Sequence, residues 1–440
     1  MQDSPSVLGS NPRRATKAAS EITRLRELSP QQWKSGLAAW LGWLFDGLDM
    51  HLYTAVATPF VAELMLLPEG DPAVKTHSGW IQAAFLIGWA LGGGFFGRIG
   101  DRLGRSRALM LTIFTYACFT GLSFFATAWW HLLICRFLAA LGIGGEWAVG
   151  ASLLSETWPR HWRPWMAATL QSAVNVGVLS AMACVALLDL IPNHSNRIVF
   201  LIGVLPALMV VWIRRAVPEP EEWHKARFAA TREVPKPADL FRGPVRRITI
   251  LTVLVCSLSL TAHWAFMFWA FQHLRSLATA AGWSPDAVGR VIPLALILVM
   301  ISAIVGNYLG AALAKLFGGF RLAIAVLCFA YFLSLFGAYS RAWTIDQMWW
   351  WMIPLGASSG VFGLFTMYMP PLFPVLLRTT GAGFCYNIGR LAAAFGTIFF
   401  GLTDYRSALM YAGFLFIPAA LFALMLPEAT DETPDAEPVD

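Results

Sequence analysis

Charged side chains are scarce: Asp, Glu, Lys and Arg make up 13% of the 440 residues, about half the share of a soluble globular chain. So little charge excludes an ordinary water-soluble fold of this length. Cysteine is also sparse. The six (118, 135, 184, 256, 328 and 385) all fall within apolar runs. They show neither metal-ligand spacing nor a disulfide framework, and each reads as a small packing residue. Catalytic triads, phosphate-binding loops, metal-ligand pairs and clustered His/Asp motifs are missing, which argues against an enzyme and against a bound cofactor. No cleavable signal is visible. The first 35 residues are polar and basic, and Arg13-Arg14 lacks the apolar run an export signal needs. The first apolar run is therefore expected to stay as an anchor.

What is present is apolar length. Hydrophobic residues reach 57% and mean hydropathy is +0.59. Reading for runs long enough to cross a hydrocarbon core of about 30 Å gives spans near 36–60, 78–98, 108–127, 130–152, 164–188, 197–216, 248–272, 288–313, 321–339, 348–370, 382–402 and 407–427. Each is expected to be a helix, because in lipid every backbone polar group must be satisfied within the segment and barrel-type alternation is absent. Many of the 20 Trp sit near run ends (Trp129 and Trp130, Trp158, Trp162 and Trp165, Trp349 to Trp351), the headgroup level where amphipathic rings settle.

The net charge of +6 does not indicate nucleic acid, since the bases lie in short loops between spans. With the N-terminus inside, 24 of the 32 Lys and Arg fall in cytoplasmic segments, 6 outside and 2 (Arg136 and Arg390) within spans, as the positive-inside rule requires. Both tails are then cytoplasmic. The expected organisation is a tail at 1–35, six spans over 36–216, a charged, Pro-containing linker at 217–247, six spans over 248–427 and an acidic tail at 428–440.

The halves repeat. Gly97-Arg-Ile-Gly-Asp101-Arg102-Leu-Gly104-Arg105 after span 2 answers to Gly310-Ala-Ala-Leu-Ala314-Lys315 after span 8. Glu156-Thr-Trp-Pro159, with Arg163 four residues on, answers to Pro371-Leu-Phe-Pro374 with Arg378. Pro218-Glu219 answers to Pro427-Glu428. The offsets are 213, 215 and 209 residues. A duplicated six-span unit is how many secondary transporters are built.

These residues resemble the major facilitator superfamily. The Gly97 to Arg105 loop is similar to its signature between spans 2 and 3. Arg136-Phe-Leu, Glu156-x-x-Pro159-x-x-x-Arg163, Pro218-Glu219 and Pro427-Glu428 resemble the sugar-porter-related branch. Asp46-Gly47-Leu48-Asp49 and Gly142-Ile-Gly144-Gly145-Glu146-Trp147 are similar to proton symporters for organic acids, the sialate/lactate and aromatic-acid groups. The resemblance implies an all-α membrane protein with twelve transmembrane helices in two pseudo-symmetric six-helix bundles. It also implies alternating access in an inner membrane, and a single copy is expected to suffice.

Three sets of residues carry the expected function. Gly88, Gly92, Gly93 and Gly97, with Gly306 and Gly310, repeat at helical spacing and let backbones approach. They either pack statically or slide. Gly97, Asp101, Arg102, Gly104, Arg105, Glu156, Arg163 and Glu219 are placed to bridge helix ends as a cytoplasmic gate, the alternative being a solvated basic loop. Against the family pattern, Ala314 stands where Asp is usual and Pro371 where Glu is usual, so the N-terminal half is expected to dominate this gate.

Charges inside spans are the third set, because each costs at least about 2.5 kcal/mol to insert. Asp46 and Asp49 share a helix face. Asp49 lies about 20 Å from the inner edge of its span and Arg136 about 9 Å from the outer edge of its own, hence at similar depth. In proton-coupled sugar porters such an Asp and Arg are the coupling pair, which the resemblance carries to Asp49 and Arg136. A static salt bridge is the other possibility. Arg390, about 14 Å deep, follows Tyr386 and Asn387 and suits a carboxylate substrate, or else packs helices. Gln171 and Asn175, one turn apart, would line the same cavity. His51, His263 and His273 read as structural. The expected function is proton-coupled symport of a small organic anion, with the proton as coupling ion. A sugar or polyol is the alternative, although the Gln-rich span 7 signature of sugar porters is missing.

Overall fold

The computed structural model describes residues 24–188, 190–191, 195–229 and 235–428. The tail at 1–23 and the acidic stretch after Glu428 lie outside the described residues. Helices account for nearly all of what is described, with no strand among the described residues.

The first half comprises α1 (Pro30–Met65), α2 (Pro72–Leu103), α3 (Arg105–Ser123), α4 (Trp129–Thr157), α5 (Arg163–Leu188), and the pair α6 (Ile198–Ile202) and α7 (Ala207–Ala216). A short helix, α8 (Glu221–Ala229), lies in the linker. The second half runs through α9 (Gly243–Ala280), α10 (Pro285–Leu316), α11 (Phe320–Tyr339), the pair α12 (Ile345–Ser358) and α13 (Val361–Tyr368), α14 (Arg378–Phe400), and the pair α15 (Tyr405–Phe414) and α16 (Phe416–Met425). These helices and helix pairs fall on all twelve expected spans, and several run well past them. At about 1.5 Å per residue, a helix such as α1 outreaches the hydrocarbon core and carries its ends into the headgroup zones.

Among the described residues, seven helical segments are by themselves long and apolar enough to cross a membrane. The others fall short for local reasons. α1 carries Asp46 and Asp49. The sixth span breaks after Ile202 because Pro206 has no N–H to offer that residue's carbonyl. The twelfth, Tyr405–Met425, is among the seven, although Pro418 leaves the Phe414 carbonyl without its usual donor and the chain tightens to an i−3 bond from Leu415 N–H to the Ala412 carbonyl. Helix starts follow ordinary capping chemistry: the hydroxyls of Ser29, Ser284 and Thr344 and the carboxylate of Asp404 accept from first-turn N–H groups.

The repeat is visible in three dimensions. Glu219 accepts from Ser106 N and Arg107 N, both at 3.0 Å, capping α3. Glu428 accepts from Phe320 N at 2.6 Å and Arg321 N at 3.4 Å, capping α11. A carboxylate at a helix N-terminus satisfies orphan donors and meets the positive end of the dipole. The halves meet along two seams, α2 with α14 and α5 with α10. Leu91, Phe95, Phe114, Leu294, Ile301, Val305, Phe329 and other large apolar side chains face outward, as lipid contact demands.

Candidate functional site

At the linker end, charges join the two bundles. Asp101, at the end of α2, is fully buried and accepts from Thr379 N (3.2 Å), Thr380 N (2.9 Å) and Thr380 Oγ1 (2.5 Å). Those donors form the start of α14, so a carboxylate of one half caps a helix of the other. Arg105, also fully buried, pairs with Asp101 at 3.2 Å and with Glu156 at 2.8 Å, and donates to the Val375 carbonyl across the seam. Gly104 adopts φ 108°, a left-handed turn that favours glycine, and its Cα abuts the Glu219 carboxylate. Gly97 packs on the Thr379 backbone, and Arg102 is exposed.

Arg163 donates to the carbonyls of Ser155 (2.7 Å) and Trp158 (3.4 Å), and the side chain that reaches Glu156 from the second half is Arg378, at 3.3 Å. Arg378 also pairs with Glu222 of α8 at 3.0 Å. Beside it, Trp223 donates to the Asp101 carbonyl at 3.0 Å and packs on Leu376. The acid missing at Pro371 is thus supplied to Arg378 by Glu156 of the first half and by the linker. Glu222 was not legible in sequence because a linker carboxylate looks like any solvated one.

At mid-depth, Asp49 and Arg136 come together as their depths predicted. Arg136 Nη2 lies 2.9 Å from Asp49 Oδ2, and Nη1 reaches Asp49 Oδ1 (3.5 Å) and Thr120 Oγ1 (3.3 Å). Arg136 is fully buried, its guanidinium over the rings of Tyr53 (4.5 Å) and Phe85 (5.2 Å). Asp46, one turn earlier, faces elsewhere, within hydrogen-bond reach of Glu146 on α4. Glu146 is fully buried, and its carboxylate lies against Gly42, where any side chain would overlap it. Two ionised carboxylates offer each other only acceptors; one shared proton turns the contact into a hydrogen bond. Both Glu146 oxygens and Asp46 Oδ1 are otherwise buried without a partner. The sequence does carry a signal for Glu146, a mid-span carboxylate as costly as Arg136, but one embedded in the Gly-rich Gly142–Trp147 motif.

Across the seam, Arg390 donates to Asn387 Oδ1 at 2.8 Å, and its guanidinium lies 3.9 Å from the Trp89 ring and 4.8 Å from that of Tyr386. Among the described residues no carboxylate reaches ion-pair distance of Arg390, although Asp46 is near enough to interact with its charge. Asn387 Nδ2 donates to the Gly383 carbonyl at 2.7 Å, against Gly93, so the glycine stripe of α2 serves two neighbours. Gly88 and Gly92 admit α4, and Gly93 and Gly97 admit α14. Asn175 sits in the other seam, accepting from Asn307 Nδ2 at 3.2 Å, and Gln171 lies beside Gly363. The structure therefore gathers Tyr386, Asn387 and Arg390 with Asp46, and puts Asn175 in a contact between bundles. His51 bonds its own helix at Gly47 O (3.0 Å), and His263 pairs with Tyr331 (2.9 Å).

Comparison with known proteins agrees with this architecture. Residues 39–397 match the model of the Major Facilitator Superfamily. The chain is 27% identical over 406 residues to the sialic acid transporter NanX of Escherichia coli, covering 91% of this chain and 94% of that one. It is 30% identical over 382 residues to the niacin transporter NiaP of Acinetobacter baylyi, covering 80% and 82%. Among solved structures, the proton:xylose symporter XylE superposes with a TM-score of 0.70 at 18% identity, over 91% of this chain and 97% of that one. Two six-helix bundles joined through a linker match that likeness, and the chain belongs to the Major Facilitator Superfamily as a membrane transporter, not an enzyme.

Proposed function

We propose that the chain is a proton-coupled symporter that carries a small organic carboxylate by alternating access. The observation that carries this reading is Arg390, a cation at mid-depth between the bundles. It is held by Asn387 and two aromatic faces, and no carboxylate is within ion-pair distance among the described residues. A carboxylate is the ligand such a guanidinium accepts best, by two parallel charge-assisted bonds. Relatives named as carriers of sialic acid, niacin and cis,cis-muconate support an organic acid. The absent Gln-rich span 7 signature weighs against a sugar.

Asp46, Asp49, Glu146 and Arg136 form the proton machinery in this reading. A proton arriving at Asp49 releases Arg136. A proton shared by Asp46 and Glu146 removes like-charge repulsion beside Arg390 while the substrate anion sits there. The contacts at the linker end are the inner gate. The basic excess puts that end, with both tails, in the cytoplasm of a cell whose plasma membrane holds the carrier. The test is uptake of labelled lactate, sialate, benzoate, nicotinate and xylose into proteoliposomes, with and without an inward proton gradient. The expected result is acid uptake accelerated by the gradient and no xylose uptake; pH-independent xylose flux without any acid uptake overturns the reading.

A further inference from the structure

A stack of three aromatic rings crosses from one bundle to the other beside Arg390. Trp43 of α1 lies 6.2 Å from Trp147 of α4 with planes 20° apart. Trp147 lies 4.1 Å from Tyr386 of α14 with planes only 12° apart. The first contact is internal to one bundle. The second joins the two halves, so it is the one that must part when the bundles rock. Tyr386 and Arg390 are four residues apart and share a face of α14. Trp89 of α2, also from the first half, covers the guanidinium of Arg390 at 3.9 Å.

All four rings are at least nine-tenths buried, yet the indole N–H groups of Trp43, Trp89 and Trp147 have no hydrogen-bond partner. Buried donors without acceptors are costly and uncommon. Two of them belong to Trp147, next in the chain to Glu146 with its own unpartnered oxygens, and to Trp89, whose ring covers Arg390. Simple packing does not call for donors in that place; a ligand bearing oxygen atoms does.

We infer that Trp147 and Tyr386 form a slot for a flat, conjugated carboxylate, with Trp89 covering Arg390 until the substrate displaces it. Parting the stack by about one ring thickness, roughly 3.5–4 Å, leaves two parallel π faces, and a planar ring entering between them restores both contacts. Its carboxylate then reaches Arg390 one turn along α14, exchanging a cation–π contact for a bidentate ion pair. The indole N–H groups of Trp89 and Trp147 are donors for any further oxygen that such an acid carries. A saturated ring of the same size is too thick and has no π face, and a polyhydroxy acid would have to shed water from each hydroxyl against aromatic walls. This inference rests on the carboxylate reading and narrows it to aromatic, heteroaromatic or dienoic acids.

The test is competition against labelled benzoate uptake in proteoliposomes of the full chain, comparing benzoate, cyclohexanecarboxylate and gluconate as competitors. Benzoate is expected to compete at about tenfold lower concentration than cyclohexanecarboxylate, the scale of one lost aromatic contact. Trp147→Leu is expected to bring the ratio of the two close to one, while Trp147→Phe keeps most of it. Because the ratio is taken within one protein, it does not depend on how much of each variant folds. Equal competition by the flat and saturated acids in the wild type overturns the slot and leaves a carboxylate carrier standing. So does a ratio unchanged in both Trp147→Leu and Tyr386→Leu. If no carboxylate is carried at all, the proposed function itself fails. Should labelled sialate or lactate be carried but not benzoate, the carrier stands and the slot falls.

Discussion

Removing one member of a buried ion pair leaves the other as an uncompensated charge, at a cost of about 3–5 kcal/mol, whereas removing both costs far less. Asp49 and Arg136 meet that condition, being almost wholly buried and 2.9 Å apart. Asp49→Asn is expected to lower the thermal stability of the purified carrier and to abolish proton-driven accumulation while leaving substrate exchange. Asp49→Asn with Arg136→Gln together should recover much of the stability but not the accumulation. Intact accumulation in Asp49→Asn removes that residue from the coupling role. The pair was legible in the sequence because depth along a helix is simple arithmetic and few charges lie within spans. Glu146 was harder to read. Its neighbour in space, Asp46, is 100 positions away, and its carboxylate has room only because Gly42 lacks a side chain. Gln171 and Asn175 show the complementary limit. A shared helix face follows from spacing, but which neighbour that face meets depends on packing between bundles.

Among the elements, the two most informative joints are the α2–α14 seam and the linker helix. Asp101 gathers three donors at the head of α14, and an amide at that position keeps one acceptor but adds an NH2 group facing N–H donors. Asp101→Asn is therefore expected to cut transport severely, while changes at Ala314 or Lys315 do little. Equal mild effects would sink the asymmetric gate. Glu222 makes a half-exposed pair with Arg378 (41% and 4% exposed side chains), so its contribution is modest, about 1 kcal/mol or less. Glu222→Gln should raise labelling of a Thr379→Cys reporter by a membrane-impermeant maleimide, applied from the linker side, by no more than about fivefold. Exchanging the charges, with Glu222→Arg and Arg378→Glu, should restore part of the protection. Unchanged labelling in Glu222→Gln would make α8 a bystander. The sequence marked 217–247 as a charged linker, yet nothing local in Glu-Glu-Trp announces that it docks on the opposite half.

For the molecule as a whole, the duplication accounts for the scaffold, and the departures from it account for the chemistry. Span positions, the repeat and the bundle pairing followed from apolar length and matched motifs, since lipid leaves few alternatives. Where proline removes a donor, as at Pro206 and Pro418, spans break in ways that hydropathy averages over. Glu219 and Glu428 cap equivalent helices with two backbone bonds each. Glu219→Gln and Glu428→Gln are thus expected to lower stability by similar amounts, about 1 kcal/mol each, measured as thermal inactivation of the solubilised protein. A large difference between them would show that the halves no longer share their folding constraints.

Those two acids, 209 residues apart, also bear on ancestry. A duplicated unit inherits every part twice, but a gate closes once and a passenger binds once, so only parts needed in both copies stay under equal pressure. The caps are such parts. The acid of the repeated Glu156 position is not: Pro371 stands there in the second copy, and Glu156 and a linker residue answer Arg378 instead. Twins at the rim and strangers at the centre are the mark of a chain whose second copy became free to specialise.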